Sequence, residues 1–248
     1  VSPENSSEEF DAYTLAMGRS KAAPMTDIVA IRPDLAPSER LRARLLEALL
    51  PIAAEKGWSA GTLKEAAEAL GLIEGELLLA APRGTLDMID AFADWADAGM
   101  AQRLEKVNLL SLKIRERVRA AVVARLDTLA PHKAAEAKAV QAMIRPFRAG
   151  EGATFVWRTA DRIWRLLGDR STDENYYSKR AILVGVLGST MARWLAEPGD
   201  DMTRTLDFLD RRIENVMQIE KLKAQAAPAA AMAVAAVGAA AKAFGRRV

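Results

Sequence analysis

No cysteine occurs in the 248 residues, which removes disulfides, thiolate metal sites, iron–sulfur clusters and a cysteine nucleophile together and suits a reducing compartment. Histidine occurs once, at His132 beside Pro131 in a polar stretch, and reads as an ordinary surface residue. The chain has no HExxH, no GxSxG, no P-loop and no glycine-rich dinucleotide turn. Its carboxylates fall at expected helix starts, such as Glu39, Glu65 and Glu174, or on polar faces, where capping and solvation account for them. The expectation is a protein without catalysis, cofactor or metal. Excess charge is also missing: 35 Lys and Arg against 33 Asp and Glu leave +2, too little to imply a polyanion as the main partner. No run has the Leu, Ile, Val and Phe richness of a conventional membrane-spanning helix.

Strand signals are nearly absent too. There is no Asn-Gly turn and no sustained alternation, whereas apolar residues recur at helical spacing in segment after segment, so the fold is expected to be all-α. Residues 1–36, acidic and rich in Ser and Pro, read as a disordered tail. Residues 37–84 read as a helix-turn-helix subdomain: a helix over 39–56 capped by Ser38 and stopped by Gly57, a short helix opened by a Thr62/Glu65 capping box, and a third from Glu74 to Ala81. Residues 85–223 read as a larger helical ligand-binding part, with helices over 85–106, 107–130, 153–167, 173–196 and 203–223. Residues 224–248 are Ala-rich and uncharged until a basic end.

A DNA reader needs donors on its recognition helix. Between residues 57 and 79 the one basic residue, Lys64, faces Glu65, Glu68, Glu74 and Glu76, and Leu77, Leu78 and Leu79 are expected to pack inward. That surface should repel a duplex, so nucleic acid is not an expected partner.

The other half of the molecule is oilier. Ala153, Val156, Trp157, Ala160, Ile163, Trp164 and Leu167 form one stripe, and AILVGVLGSTMA at 181–192 is apolar nearly all round. Trp157, Ile163, Trp164, Leu167, Leu183, Val184, Leu187 and Met191 are read as lining a lipid cavity or filling a core. Gly185 and Gly188 suggest close approach of another helix or a ligand. The run from Arg103 to Arg125, with Lys106, Lys113, Arg115, Arg117 and Arg119 between, reads as a solvated basic face able to meet lipid headgroups. In the tail, Met232, Val234, Val237 and Phe244 with Lys242, Arg246 and Arg247 could give a reversible membrane contact; a loose or folded-back alanine tail is the alternative.

LLEALLPIAAEKGWSAGTLKEAAEALGL has the helix, Gly-aromatic, helix and Gly-turn spacing of the tetracycline-repressor class, and residues 40–98 resemble its N-terminal part. A wider resemblance covers residues 38–223. EKGWS, LSLKIRERVRAAVVARL, TLDFLDRRIENVMQIEK and above all GDRSTDENYYSKRA, Gly168 to Ala181, are similar to the accessory lipid-binding family of coenzyme Q (ubiquinone) biosynthesis. That resemblance implies a repressor-like helical bundle that dimerises, binds an isoprenoid quinone intermediate or phospholipid, and sits peripherally at an inner membrane, on the matrix side in a mitochondrion and the cytoplasmic side in a bacterium. It also implies assistance to the di-iron demethoxy-ubiquinone hydroxylase, with Asn175, Tyr176, Tyr177 and Arg180 in the region that meets this partner. The alternative reading is a transcription regulator answering to an apolar ligand.

Overall fold

In the computed structural model, residues 36–172, 174–199 and 201–218 are described, and every regular element among them is helical. The sequence-derived segments 1–35 and 219–248, including the candidate membrane residues Met232 to Arg247, lie outside the described residues.

The first helix, α1, spans Pro37–Lys56 and starts earlier than Ser38 suggested. Proline has no N–H to leave unpaired in the first turn, so the helix begins on it, and the Ala36 N–H donates to Glu39 Oε2 at 2.8 Å. Gly57, at φ +84°, turns the chain out of α1. Ser59 then caps α2 (Ala60–Ala69), its Oγ accepting from the Thr62 N–H at 3.1 Å. The expected Thr62/Glu65 box is therefore displaced by one turn, and Glu65 instead pairs with Lys56 at 2.7 Å. The third helix, α3, spans Glu74–Ala80. Two turns can aim only one stripe inward, which here is Leu77 and Ala80; contrary to expectation, Leu78 and Leu79 are 62% and 58% exposed.

α4 (Thr85–Glu105) carries Met88, Phe92, Trp95 and Met100 into the core. The helix expected over 107–130 is divided. A 3₁₀ turn at Leu109–Ser111 leaves Leu110 exposed, and α5 (Ile114–Leu129) starts afresh where the Lys113 N–H donates to Glu116 Oε2 at 2.8 Å. From Ala120 to Leu129 every residue of α5 is buried, so this helix is the central rod. After a further 3₁₀ turn, α6 (Lys133–Met143) follows.

α7 (Ala149–Leu166) and α8 (Glu174–Ala196) pack on each other, with Gly168 at φ +85° in the turn between them. Residues 203–218 form α9, which enters the core through Leu209. One hydrophobic cluster runs from Leu45 to Leu209, and Trp58 Nε1 donates to the Ala135 carbonyl at 3.0 Å, so the first three helices are sealed against α6 by apolar contact and a hydrogen bond.

Candidate functional site

Five helices, α4 to α8, surround a cavity of about 570 Å³. That volume lies within the ~300–1,000 Å³ typical of sites for drug-sized ligands. Its walls are apolar: Ile89, Val122, Leu126, Met143, Phe155 and Leu187 represent the five helices. Small residues keep it open. Gly188 faces it with no heavy atom within 4 Å of where a Cβ would stand, so neither Gly188 nor Gly185, which is equally free, marks close approach of another helix. Val122, Arg125, Leu126 and Thr159 are among the buried linings, at the floor, and Ile144, Ala149, Ala153, Gly188 and Ala192 are exposed, at the rim.

Of the eight residues marked in the sequence for this role, Val184, Leu187 and Met191 line the cavity. Ile163, Leu167 and Leu183 are buried in the core instead, where α7 and α8 meet. The two tryptophans stand apart as well. Trp164 Nε1 donates to the Lys179 carbonyl at 3.1 Å, and the Trp157 ring lies 6.3 Å from that of Tyr177. Residues seven apart share one flank of a helix. Here that flank leans on the start of α8, while the first half of α7, through Gly152, Ala153, Phe155 and Val156, faces the cavity.

The motif between Gly168 and Ala181 builds a charged knot. Arg180, only 2% exposed, donates from Nε to Asp161 Oδ1 at 2.7 Å and from Nη1 to Asp169 Oδ2 at 3.2 Å, and its guanidinium lies 3.5 Å from the Tyr176 ring centre. The Tyr176 hydroxyl donates to Asp161 at 3.1 Å. Burial alone would raise the Asp169 carboxyl, but hydrogen bonds from Lys179, Ser171 and Arg180 outweigh it and hold Asp169 well below the usual carboxylate range. Arg180 is thus spent inside the fold. Asn175 and Tyr177 remain on the surface, Tyr177 at 65% exposure.

Two further expectations are corrected. His132 is half-buried, its ring edge-on to Trp95 at 5.3 Å and Phe92 at 6.1 Å, and desolvation lowers its pKa. The basic run is not one solvated face: Arg103 donates to Thr128 Oγ1 at 3.1 Å, Arg119 to Asp210 at 2.6 Å, and Arg125 to Asp97 at 2.8 Å. Arg103, from α4, and Arg125, from α5, turn inward where these two helices pack on each other, while Arg119 is held across to α9.

The sequence reading missed the polar residues of the cavity, Arg125, Glu136 and Thr159, and the whole of α6. The signal was faint. Ala135, Ala139 and Met143 do recur every fourth residue, but alanine carries little hydropathy.

This architecture has a counterpart in a solved structure, the TetR transcriptional regulator from Nitrosomonas europaea ATCC 19718, with a TM-score of 0.58 and 22% identity over 71% of this chain and 97% of that one. The fold is tetracycline-repressor-like. The family match falls on the helix pair that frames the cavity and carries the charged knot. Residues 149–220 match the COQ9 family. The chain is 28% identical over 193 residues to the ubiquinone biosynthesis protein COQ9, mitochondrial, of Rattus norvegicus, covering 75% of this chain and 62% of the relative. It is 26% identical to the Homo sapiens protein of that name, again over 75% of this chain and 60% of the relative. The chain therefore spans about three fifths of the length of these COQ9 relatives. The resemblance to the coenzyme Q accessory family and the repressor-like helical fold are both supported by these comparisons. Among the described residues no helix is long and apolar enough to cross a membrane.

Proposed function

We propose that this protein serves ubiquinone biosynthesis as a non-catalytic, dimeric lipid carrier, holding the isoprenoid part of a quinone intermediate and offering it to the demethoxy-ubiquinone hydroxylase at a membrane surface. The observation that carries this reading is the apolar cavity bounded by the helix pair that matches COQ9. An isoprenoid chain leaving a bilayer for that cavity passes between two apolar environments and avoids the cost of hydration. The relatives' printed names supply the pathway. The surface of α3 supports this reading over DNA binding, since it presents Ile73, Leu78, Leu79, Glu74 and Glu76, none of which donates to a phosphate or base edge from its side chain.

The test is uptake by the full chain. Native mass spectrometry after exposure to a total lipid extract, neutral lipids included, should find a bound isoprenoid. In a Gly188→Leu variant, whose side chain enters the cavity, the same measurement should find none while helical content is unchanged. Equal retention by both proteins would remove the cavity from the account. Asn175, Tyr176 and Tyr177 are assigned to the hydroxylase contact, and residues 226–248 to membrane attachment; deleting that tail should lower liposome flotation.

A further inference from the structure

Three polar side chains interrupt the apolar wall, one each from α5, α6 and α7: Arg125, Glu136 and Thr159. Behind them stands Asp97 of α4, which is buried and accepts from Arg125 Nε at 2.8 Å and from the Thr159 hydroxyl at 3.1 Å. Asp97 thus fixes two of the three. Glu136 differs, since its carboxyl makes no hydrogen bond among the described residues, and neither do the terminal nitrogens of Arg125. Glu136 is half-buried, and its carboxyl, set in an apolar wall with no hydrogen bond from the described residues, is left for whatever enters the cavity to satisfy. Desolvation raises the Glu136 pKa, the Arg125 charge opposes the rise, and Asp97 adds to it.

We propose that Arg125, Glu136 and Thr159 form a head-group site in the cavity for a neutral ring or alcohol of the phenol or quinone class, selecting it over anionic lipids. The inference rests on the cavity being a lipid site and specifies what that lipid carries. A quinone carbonyl accepts from an Arg125 terminal N–H or a protonated Glu136, and a phenol hydroxyl donates to Glu136. An anionic head meets a different field. The single guanidinium is already paired with Asp97, so a carboxylate or phosphate finds no uncompensated positive charge and faces Glu136 besides. Glu136 is a specificity-determining residue in this arrangement.

The experiment titrates the full chain with three probes of matched length: a benzoquinone bearing two prenyl units, a prenyl hydrocarbon without the ring, and a fatty acid. Tryptophan fluorescence reports binding. The wild type should bind the quinone about tenfold more tightly than the hydrocarbon, the effect of roughly one well-made buried hydrogen bond, and the fatty acid most weakly. Glu136→Leu should lower the quinone-to-hydrocarbon ratio severalfold without weakening the hydrocarbon, Arg125 remaining as a donor, and Glu136→Gln, which keeps a donor and an acceptor, should retain most of it. An unchanged ratio in Glu136→Leu, or wild-type affinity for the fatty acid equal to that for the quinone, overturns the head-group site. Equal wild-type binding of quinone and hydrocarbon overturns it and leaves the carrier reading intact. No binding of either overturns both. Should Glu136→Leu not fold, the three wild-type affinities still decide.

A second, independent observation concerns the rim. Between α6 and α7, Ile144 and Phe147 stand 70% and 75% exposed, and Ile144 also lines the cavity. Arg145 and Arg148 flank them with no ion pair or hydrogen bond to their guanidiniums among the described residues. Glu151, the next acidic residue, is half-buried in the first turn of α7. We infer that residues 144–148 seat the cavity mouth on an anionic bilayer, the two apolar side chains entering the acyl boundary and the two arginines meeting headgroups. Flotation of the full chain with phosphatidylcholine vesicles containing phosphatidylglycerol, and no isoprenoid, tests this. Arg145→Gln and Arg148→Gln should each lower partitioning about fivefold, and Ile144→Ser with Phe147→Ser should abolish most of it. Wild-type flotation by all these variants would overturn the inference, as would equal binding to vesicles of phosphatidylcholine alone.

Discussion

Gly99 and Thr128 meet where α4 crosses α5: a Cβ on Gly99 would collide with the Thr128 Cγ2 methyl and stand 3.0 Å from its hydroxyl oxygen. The helix pair approaches this closely because one partner has no side chain. Thr128 has little freedom to yield, since its hydroxyl donates to the Ala124 carbonyl at 2.8 Å and accepts from Arg103 Nε at 3.1 Å.

Gly99→Ala should therefore destabilise the protein by about 1–3 kcal/mol, despite alanine's better helix propensity, as overpacked cores do. Combining it with Thr128→Ser, which removes the methyl, should recover part of the loss. Urea unfolding of the two single variants and the double variant measures the coupling.

Asp127 should make stability depend on pH. Desolvation, opposed by the Arg103 charge, raises its carboxyl to about 6, and Oδ2 has no hydrogen-bond partner. The folded pKa exceeds the unfolded value, so the native state binds the extra proton between about pH 4 and 6, and stability falls as pH rises through that window. Asp127→Asn should add about 1–3 kcal/mol at pH 7.5 and almost nothing at pH 4. Thermal melts at the two pH values check this, and an equal gain at both would contradict it.

Arg180→Leu should lower stability by about 1–3 kcal/mol, because Asp161 and Asp169 lose their shared guanidinium and keep only Arg165 with Tyr176, and Lys179 with Ser171. Arg180→Lys should fall in between, keeping the charge and losing the two-pronged geometry. Denaturant titration distinguishes the three proteins.

Tyr177→Ala, in contrast, should cost no more than about 1 kcal/mol, since the ring is exposed and its contacts are Trp157 at 6.3 Å and Tyr176 at 5.0 Å. It should weaken the proposed binding of the hydroxylase in a calorimetric titration. Unchanged affinity would withdraw Tyr177 from the partner contact.

Much of this was legible along the chain. The α7 stripe, the short helices before Gly71 and Pro82, and the acidic character of α3 follow from local spacing and composition, which a helix converts directly into faces. The charged knot was visible only as a motif. That Arg180 lies inside it depends on Asp161, nineteen residues away, and no spacing rule joins them. α6 escaped notice for a related reason: an alanine-rich helix shows its face only when something packs on it.

By itself the sequence determined an all-α fold without thiols, with one histidine, and with a third helix that carries two glutamates and no basic residue, because those properties reside in residue types and in periods of three to four. The tertiary structure alone decided which apolar residues enclose space and which fill it. Cavities form between elements, and Val184 lines one while neighbouring Leu183 packs solidly because a helix turns each successive side chain by roughly 100°. It also decided that Asp97, Arg125, Glu136 and Thr159, spread over four helices, converge on one wall, which long-range packing brings about and no local pattern encodes.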